Sequence, residues 1–211
     1  MAYDLEEQEQ IESIKAWWKQ YGTLVMLAVL ACLVTIAGIQ AWRYYQAQQS
    51  ERAATLFAQL DQAEAGNEPK KVRDIAAQII DRHGSSPYAG MAALSAAKAS
   101  FTTGELAEAK KTLEWAVGNA RDKGMRDIAR LRLAGVLLDE KKHDEALKVL
   151  AAEHAPSYAA FYADLKGDVL AAQGKPAEAR AAYQAALEKT DARSQYRPLI
   201  EMKLDALGAA K

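Results

Sequence analysis

The chain has 211 residues, 50% of them apolar and 26% charged, with 27 Lys and Arg against 28 Asp and Glu. That composition can bury a core, which excludes a wholly disordered chain, and a formal net charge of −1 leaves no electrostatic footprint for nucleic acid. One cysteine and three histidines exclude a disulfide framework and a zinc cluster.

The first predicted element is a membrane helix. From Gly22 to Ile39 the chain reads GTLVMLAVLACLVTIAGI, and no charged side chain falls between Lys19 and Arg43. At 1.5 Å per residue, about 20 residues cross the roughly 30 Å of bilayer hydrocarbon. Trp17, Trp18, Lys19 and Tyr21 stand before the run; Trp42, Arg43, Tyr44 and Tyr45 follow it. Aromatic rings favour the headgroup level and long cationic side chains reach back to it, so these eight are the expected interface anchors, with the lipid bilayer as their partner. A buried core helix needs no such girdles. A cleaved signal peptide is the other alternative, but Asp4, Glu6, Glu7, Glu9 and Glu12 precede the run, and its apolar core exceeds the usual 7–15 residues. An uncleaved anchor is expected. Lys15 and Lys19 balance Arg43 and Arg52, so charge bias leaves orientation open. Cys32, in mid-span, is expected to behave as a small hydrophobe.

After Tyr45 the chain is rich in Ala, Glu, Lys and Leu, which favours helix. Breakers recur at Gly66-Asn67-Glu68-Pro69, Gly84-Ser85-Ser86-Pro87, Thr103-Gly104, Gly124, Pro156, Gly174-Lys175-Pro176 and Pro198. Ser86-Pro87 has the form of an N-cap with Pro at the first helical position, and Gly174 with Pro176 the form of one helix ending and the next beginning.

An internal repeat sharpens the pattern. Ala109, Ala146 and Ala179 serve as reference positions, spaced 37 and 33 residues apart. Four residues after them come Leu113, Leu150 and Tyr183; twelve before come the small residues Ala97, Ala134 and Gly167. Five before come Gly104, Lys141 and Gly174, at a turn between two helices; seven after come Ala116, Glu153 and Ala186. Small residues let paired helices approach, the large one fills the space between pairs, and glycine allows positive φ at the turn. No such unit buries its apolar face alone, so units stack. These positions resemble the tetratricopeptide repeat, with three degenerate units at about 90–123, 127–159 and 160–193. An earlier helix pair spans about 48–83, with Ala76 and Ile80 as echoes of the reference and +4 positions. A last helix, about Arg193 to Leu207, closes the stack. An ordinary helical bundle is the alternative.

The expected fold class is all-α: a single N-terminal transmembrane helix followed by a TPR-like helical-repeat solenoid. The expected divisions are an N-terminal segment 1–21, the span 22–42, a linker helix and degenerate first pair 43–89, three repeats 90–193 and a C-terminal cap 194–211.

Reactive chemistry is not evident. No phosphate-binding loop, dinucleotide fingerprint, zinc-protease helix, nucleophile elbow or calcium loop occurs. His83, His143 and His154 lie far apart near predicted helix ends, Asp139-Glu140 and Asp144-Glu145 are adjacent acids that diverge on a helix, and the basic runs are short with acids beside them. No enzyme activity, no cofactor and no nucleic-acid partner are expected. A repeat stack offers a concave surface instead. By the usual register Met91, Leu94 and Lys98 line it from the first unit, and Phe161, Asp164 and Asp168 from the third.

The stretch Glu9-Gln10-Ile11-Glu12-Ser13-Ile14-Lys15-Ala16-Trp17-Trp18-Lys19-Gln20-Tyr21-Gly22, with the span, Trp42-Arg43-Tyr44-Tyr45 and the degenerate repeats behind it, closely resembles the YfgM family of ancillary SecYEG translocon subunits. The resemblance covers essentially the whole chain. It implies an inner-membrane protein with a cytoplasmic N-terminus and a periplasmic repeat domain. It also implies association with the SecYEG translocon and the periplasmic chaperone PpiD, and a role in passing newly translocated client polypeptides onward. A second role implied for the family is control of a cytoplasmic stress-response regulator's stability. The resemblance carries no catalytic residues. A scaffold for another cell-envelope complex is the alternative from a different class, because fold does not fix function.

Overall fold

The computed structural model describes residues 2–209, with side chains described from Ile11 to Gly208. Among the described residues the secondary structure is helical, without strands. Nine α-helices follow in order: α1 (Ala2–Ala65), α2 (Pro69–His83), α3 (Pro87–Thr102), α4 (Leu106–Asn119), α5 (Lys123–Asp139), α6 (His143–Leu150), α7 (Ala159–Ala172), α8 (Pro176–Lys189) and α9 (Arg197–Ala209). A short 3-10 turn, Pro156–Tyr158, precedes α7. The chain divides into two compact units, one ending at Gln48 and the other beginning at Gln49.

The first unit is helical throughout its described length. Its apolar run is almost wholly exposed within the protein, with Leu24, Leu27, Val29, Leu30, Leu33 and Val34 all open. The core helix of a soluble protein is, by contrast, mostly buried. It is long and apolar enough to cross a membrane.

The second unit is a stack of helix pairs. Proline fills the first-turn position of α2, α3 and α8, where its missing N–H leaves no helical bond unmade. Asp122 caps α5 by accepting from the Met125 amide at 2.9 Å. Pairs close on one repeated turn. Its positive-φ residue is Asn67, Gly104, Lys141 or Gly174, with φ of 52°, 78°, 60° and 73°. The following amide reaches back across the helix end in each case: Glu68 to the Ala63 carbonyl (2.9 Å), Glu105 to Ser100 (2.8 Å), Lys142 to Leu137 (2.8 Å) and Lys175 to Leu170 (3.0 Å). This is the glycine-type helix stop, which supplies donors to the last carbonyls of the first helix.

The shared turn corrects the register of the first pair. Asn67 matches Gly104, so Val72, and not Ala76, stands at the reference position, and Ala76 falls at +4. Leu60 then occupies the position twelve residues earlier, where the other pairs carry Ala97, Ala134 and Gly167. Leu60, Val72, Ala76 and Ile79 are all buried in one cluster with Ala89, Ala92 and Ala96 of α3. The alanine pattern misleads by one helical turn because large and small residues are exchanged here.

Volumes compensate elsewhere too. A methyl group built on Gly167 would clash with the Tyr183 ring at 2.4 Å, so the only glycine of that series accompanies the largest +4 residue. Ala97, Ala109, Leu113, Ala134, Ala146 and Leu150 share a second cluster, and Ala179 and Tyr183 a third with Ile200 of α9. Trp115 touches the first two clusters and Leu147 the last two, so the core runs on from pair to pair.

Other expectations need adjustment. α5 begins at Lys123, ahead of the expected boundary at 127, and α9 begins at Arg197 instead of Arg193. α6 ends at Leu150, so Glu153 at the +7 position lies outside any helix. The loop that replaces its last turn is held by buried Asp127. This carboxylate takes Arg130 at 2.8 Å and the Ala155 amide at 3.0 Å, while the Asp127 carbonyl accepts from the Tyr162 hydroxyl. A buried charge is tolerable only when paired and hydrogen-bonded in this way.

Candidate functional site

Two surfaces remain as candidates, one in each unit, and each is built separately. In the first, the expected anchors Trp17, Trp18, Lys19, Tyr21, Trp42, Arg43, Tyr44 and Tyr45 are all exposed. Trp17 meets Trp18 and Tyr21 at ring-centroid distances of 6.4 and 5.8 Å, and Trp42 meets Tyr45 at 6.4 Å. Trp18 also lies over Gly22, close enough that a methyl group there would crowd its indole. Clusters of this type present broad amphipathic area at each end of the apolar run.

In the second unit, the six expected groove residues divide by register. Met91 and Phe161 are partly open, and Lys98 is exposed, with its ammonium 3.9 Å from Glu64. Leu94 is only 7% exposed and belongs to the core, which corrects its placement on an open surface. Asp164, 3% exposed, is likewise internal. It accepts from the Tyr196 hydroxyl and from Lys203 at 2.8 Å. Asp168 accepts from Tyr183 and from Lys203, both at 2.8 Å. The two carboxylates thus fasten α7 to α8 and α9, with Asp164 bonded through Oδ2 alone and its Oδ1 buried without a hydrogen-bond partner.

Burial, then the Asp168 contact, raises the Tyr183 hydroxyl above its ordinary value near 10; burial, then Asp164, does the same for Tyr196. Burial pulls Lys203 down, but its two carboxylate partners outweigh this and hold it above 10.5. The network therefore keeps both phenols neutral and the amine charged. Neither Tyr196 nor Lys203 belongs to the repeat pattern, so the pattern offered no warning that these acids are occupied.

The repeat register does identify a residue that was missed. Eleven residues before the reference positions stand Lys98, Gly135 and Asp168. Gly135 is the middle member, and it lines a cleft of about 270 Å³ between α3 and α5. Ala97, Lys98 and Phe101 form one wall, Arg132, Gly135, Val136 and Asp139 the other, and Leu113 of α4 contributes from below. The surface inside is almost entirely apolar. An apolar recess of this kind suits a hydrophobic side chain.

The histidines are not brought together. His83 is buried and bonds Gln49, His143 opens α6, and His154 stacks on Tyr162 with ring centroids 4.0 Å apart. Among the described residues, no group of three or more His, Cys, Asp or Glu is arranged to hold a metal ion.

Residues 15–209 match the tetratricopeptide repeat-like domain family. A solved structure described as "MamA RS-1 ArsTM double mutant" superposes with a TM-score of 0.55 over 77% of this chain and 97% of that one. At 16% identity it supports the fold alone. Curated relatives align over nearly their full length. The Neisseria gonorrhoeae protein named ancillary SecYEG translocon subunit is 32% identical over 98% of this chain and 100% of its own. The Escherichia coli K12 protein of the same name is 29% identical over 95% and 96%. At 32% identity over 98% of this chain and 100% of the Neisseria gonorrhoeae protein, this chain belongs to the family of ancillary SecYEG translocon subunits.

Proposed function

We propose that the chain is a non-enzymatic inner-membrane subunit that stands beside the SecYEG channel and carries an interaction domain on its periplasmic side. Residues 22–42 form the span, 1–21 lie in the cytoplasm, and the repeats face the periplasm. The eight aromatic and cationic anchors set the depth of the helix. The repeat stack receives newly translocated polypeptides and passes them to a periplasmic chaperone such as PpiD.

The observation that carries this reading is the apolar surface around the span. Leu24, Leu27, Leu30, Leu33, Ile36 and Ile39 are all open. Lipid satisfies part of such a helix, and a neighbouring membrane protein satisfies the rest by close packing. The relatives named for the translocon supply the candidate neighbour.

Photo-reactive side chains at Leu27 and Leu30, introduced singly in the full chain in native membranes, test the reading. Adducts with channel subunits are expected from at least one position. Adducts with lipid alone at both would overturn it. A reporter that is active only after export, fused behind Lys211, tests orientation: activity is expected, and activity confined to a cytoplasmic reporter contradicts it.

A further inference from the structure

Nine residues before the reference positions, the later pairs carry Leu137 and Leu170, both buried in the core. The first pair carries Ala63 there, and α3 carries Ser100. Around Ser100 a recess of about 350 Å³ opens between α2 and α4, with Ser100 and Ala96 of α3 beneath. A second departure from the repeat falls at the same place. Six residues after the reference positions stand Gln78, Ala152 and Ala185, but α4 carries Trp115, which lines the recess. A small polar residue in place of leucine thus meets a large aromatic one in place of alanine or glutamine.

The hydroxyl of Ser100 is not explained by packing. A helical serine commonly rests its hydroxyl on a carbonyl one turn back. Ser100 is fully buried, and its Oγ has no hydrogen-bond partner. A buried polar atom left unpaired is costly, and alanine, as at Ala63, would avoid that cost. Apolar surface stands on both sides: Ala77 and Ile80 come from α2 and Trp115 from α4. The charges at the edge cancel, since Arg73 and Lys111 stand with Asp81 and Glu108. Arg73 is also engaged by Glu105 at 3.0 Å, and Lys111 lies 3.8 Å from Glu108. Such an edge gives an ion no net attraction and suits a neutral occupant.

We propose that this recess binds a neutral phenolic ring. The ring lies against Trp115 and Ile80, and its hydroxyl pairs with Ser100 Oγ. A pocket of this kind combines an apolar body with one polar group that fixes orientation. A free phenol and a tyrosine side chain share this chemistry, and the test separates them. The inference goes beyond the function proposed above and does not rest on it, so its test needs no channel.

The full chain, labelled with fluorinated tryptophan in detergent micelles, is titrated with p-cresol, toluene and p-toluate near neutral pH, where the phenol keeps its proton. The Trp115 fluorine resonance, assigned with Trp115→Phe, should shift at about tenfold lower p-cresol than toluene or p-toluate. Partitioning into micelles is common to all variants, so their differences read the recess. Ser100→Ala keeps the space and removes the hydroxyl, so p-cresol binding should weaken about tenfold while toluene binding holds. Ser100→Leu restores the residue of the later pairs and should abolish the shift. If Ser100→Leu does not fold, Ala77→Leu, at an exposed position, fills the recess from its edge and should do the same. The capped peptide Gly-Gly-Tyr-Gly-Gly separates the sources. Binding of the peptide as well as p-cresol assigns a tyrosine side chain, and binding of p-cresol alone assigns a free phenol; both uphold the proposal. A Trp115 resonance unmoved by either would overturn it. Equal affinity for p-cresol and toluene, or equal p-cresol affinity in the original chain and Ser100→Ala, would do so too.

Discussion

The first helix pair and the three that follow close on the same turn but fill the space beside it in opposite ways. In α3–α4, α5–α6 and α7–α8 a small residue on the first helix (Ala97, Ala134, Gly167) is matched by a large one on the second (Leu113, Leu150, Tyr183). In the first pair Leu60 takes the small residue's place and Ala76 the large one's. The backbone geometry persists while the side-chain volumes trade places. Packing thus constrains the sum of the two volumes more than either identity, as close-packed interiors require.

The largest test of this comparison is Leu60→Ala. Leu60 is fully buried, so the variant should lose about 2–5 kcal/mol in denaturant unfolding of the full chain in micelles. Adding Ala76→Leu should restore part of that loss through a favourable coupling between the two sites. Strict additivity would break the idea that the two positions share one volume. Gly167→Ala should cost about 1–3 kcal/mol, because the added methyl group collides with the Tyr183 ring; Gly167→Ala combined with Tyr183→Leu should cost less than Gly167→Ala alone.

The turns give a finer contrast. Lys141 holds a left-handed conformation at φ 60° that Gly104 and Gly174 adopt without penalty. Lys141→Gly should therefore stabilise the chain by about 1 kcal/mol. Asn67→Gly should gain less, since Asn tolerates this region. Equal gains at both sites would show that the strain at Lys141 is relieved by something other than its backbone.

The last effect vanishes near neutrality. Tyr183, Tyr196 and Lys203 all hold their protons to higher pH in the folded chain than their ordinary values of 10.0, 10.0 and 10.5. The folded state therefore binds more protons than the unfolded one above pH 10, and stability falls as pH rises past it. Thermal melts through that range should show the decline, and Tyr196→Phe should make it shallower. A melting temperature flat to about pH 11 would contradict the network that fastens α9.

Much of the fold was legible because the periodic signals are local. The uncharged run from Gly22 to Ile39, the turn at Gly104 and Gly174, and the Ala–Leu spacing around Ala109 and Ala146 each express one physical demand within a short stretch. The register of the first pair was not legible from alanines, since Leu60 and Ala76 invert the pattern; Gly66-Asn67 carried the correct phase. Asp164 and Asp168 read as surface acids because their partners, Tyr196 and Lys203, come from a helix outside the repeats. Leu94 read as a groove residue because register alone does not separate the open and inward positions of a first helix. Gly135 was within reach, one repeat on from Lys98, but the middle unit was not extended to it.

Central to the account is that the apolar helix lies in lipid, and Cys32 reports on this directly. It is the one cysteine in the sequence, and it is exposed among the described residues. In sealed membrane vesicles of either orientation a water-soluble maleimide should leave Cys32 unmodified, and detergent with denaturant should then make it fully reactive. Rapid modification in intact vesicles would place the thiol in water and contradict a membrane-spanning helix.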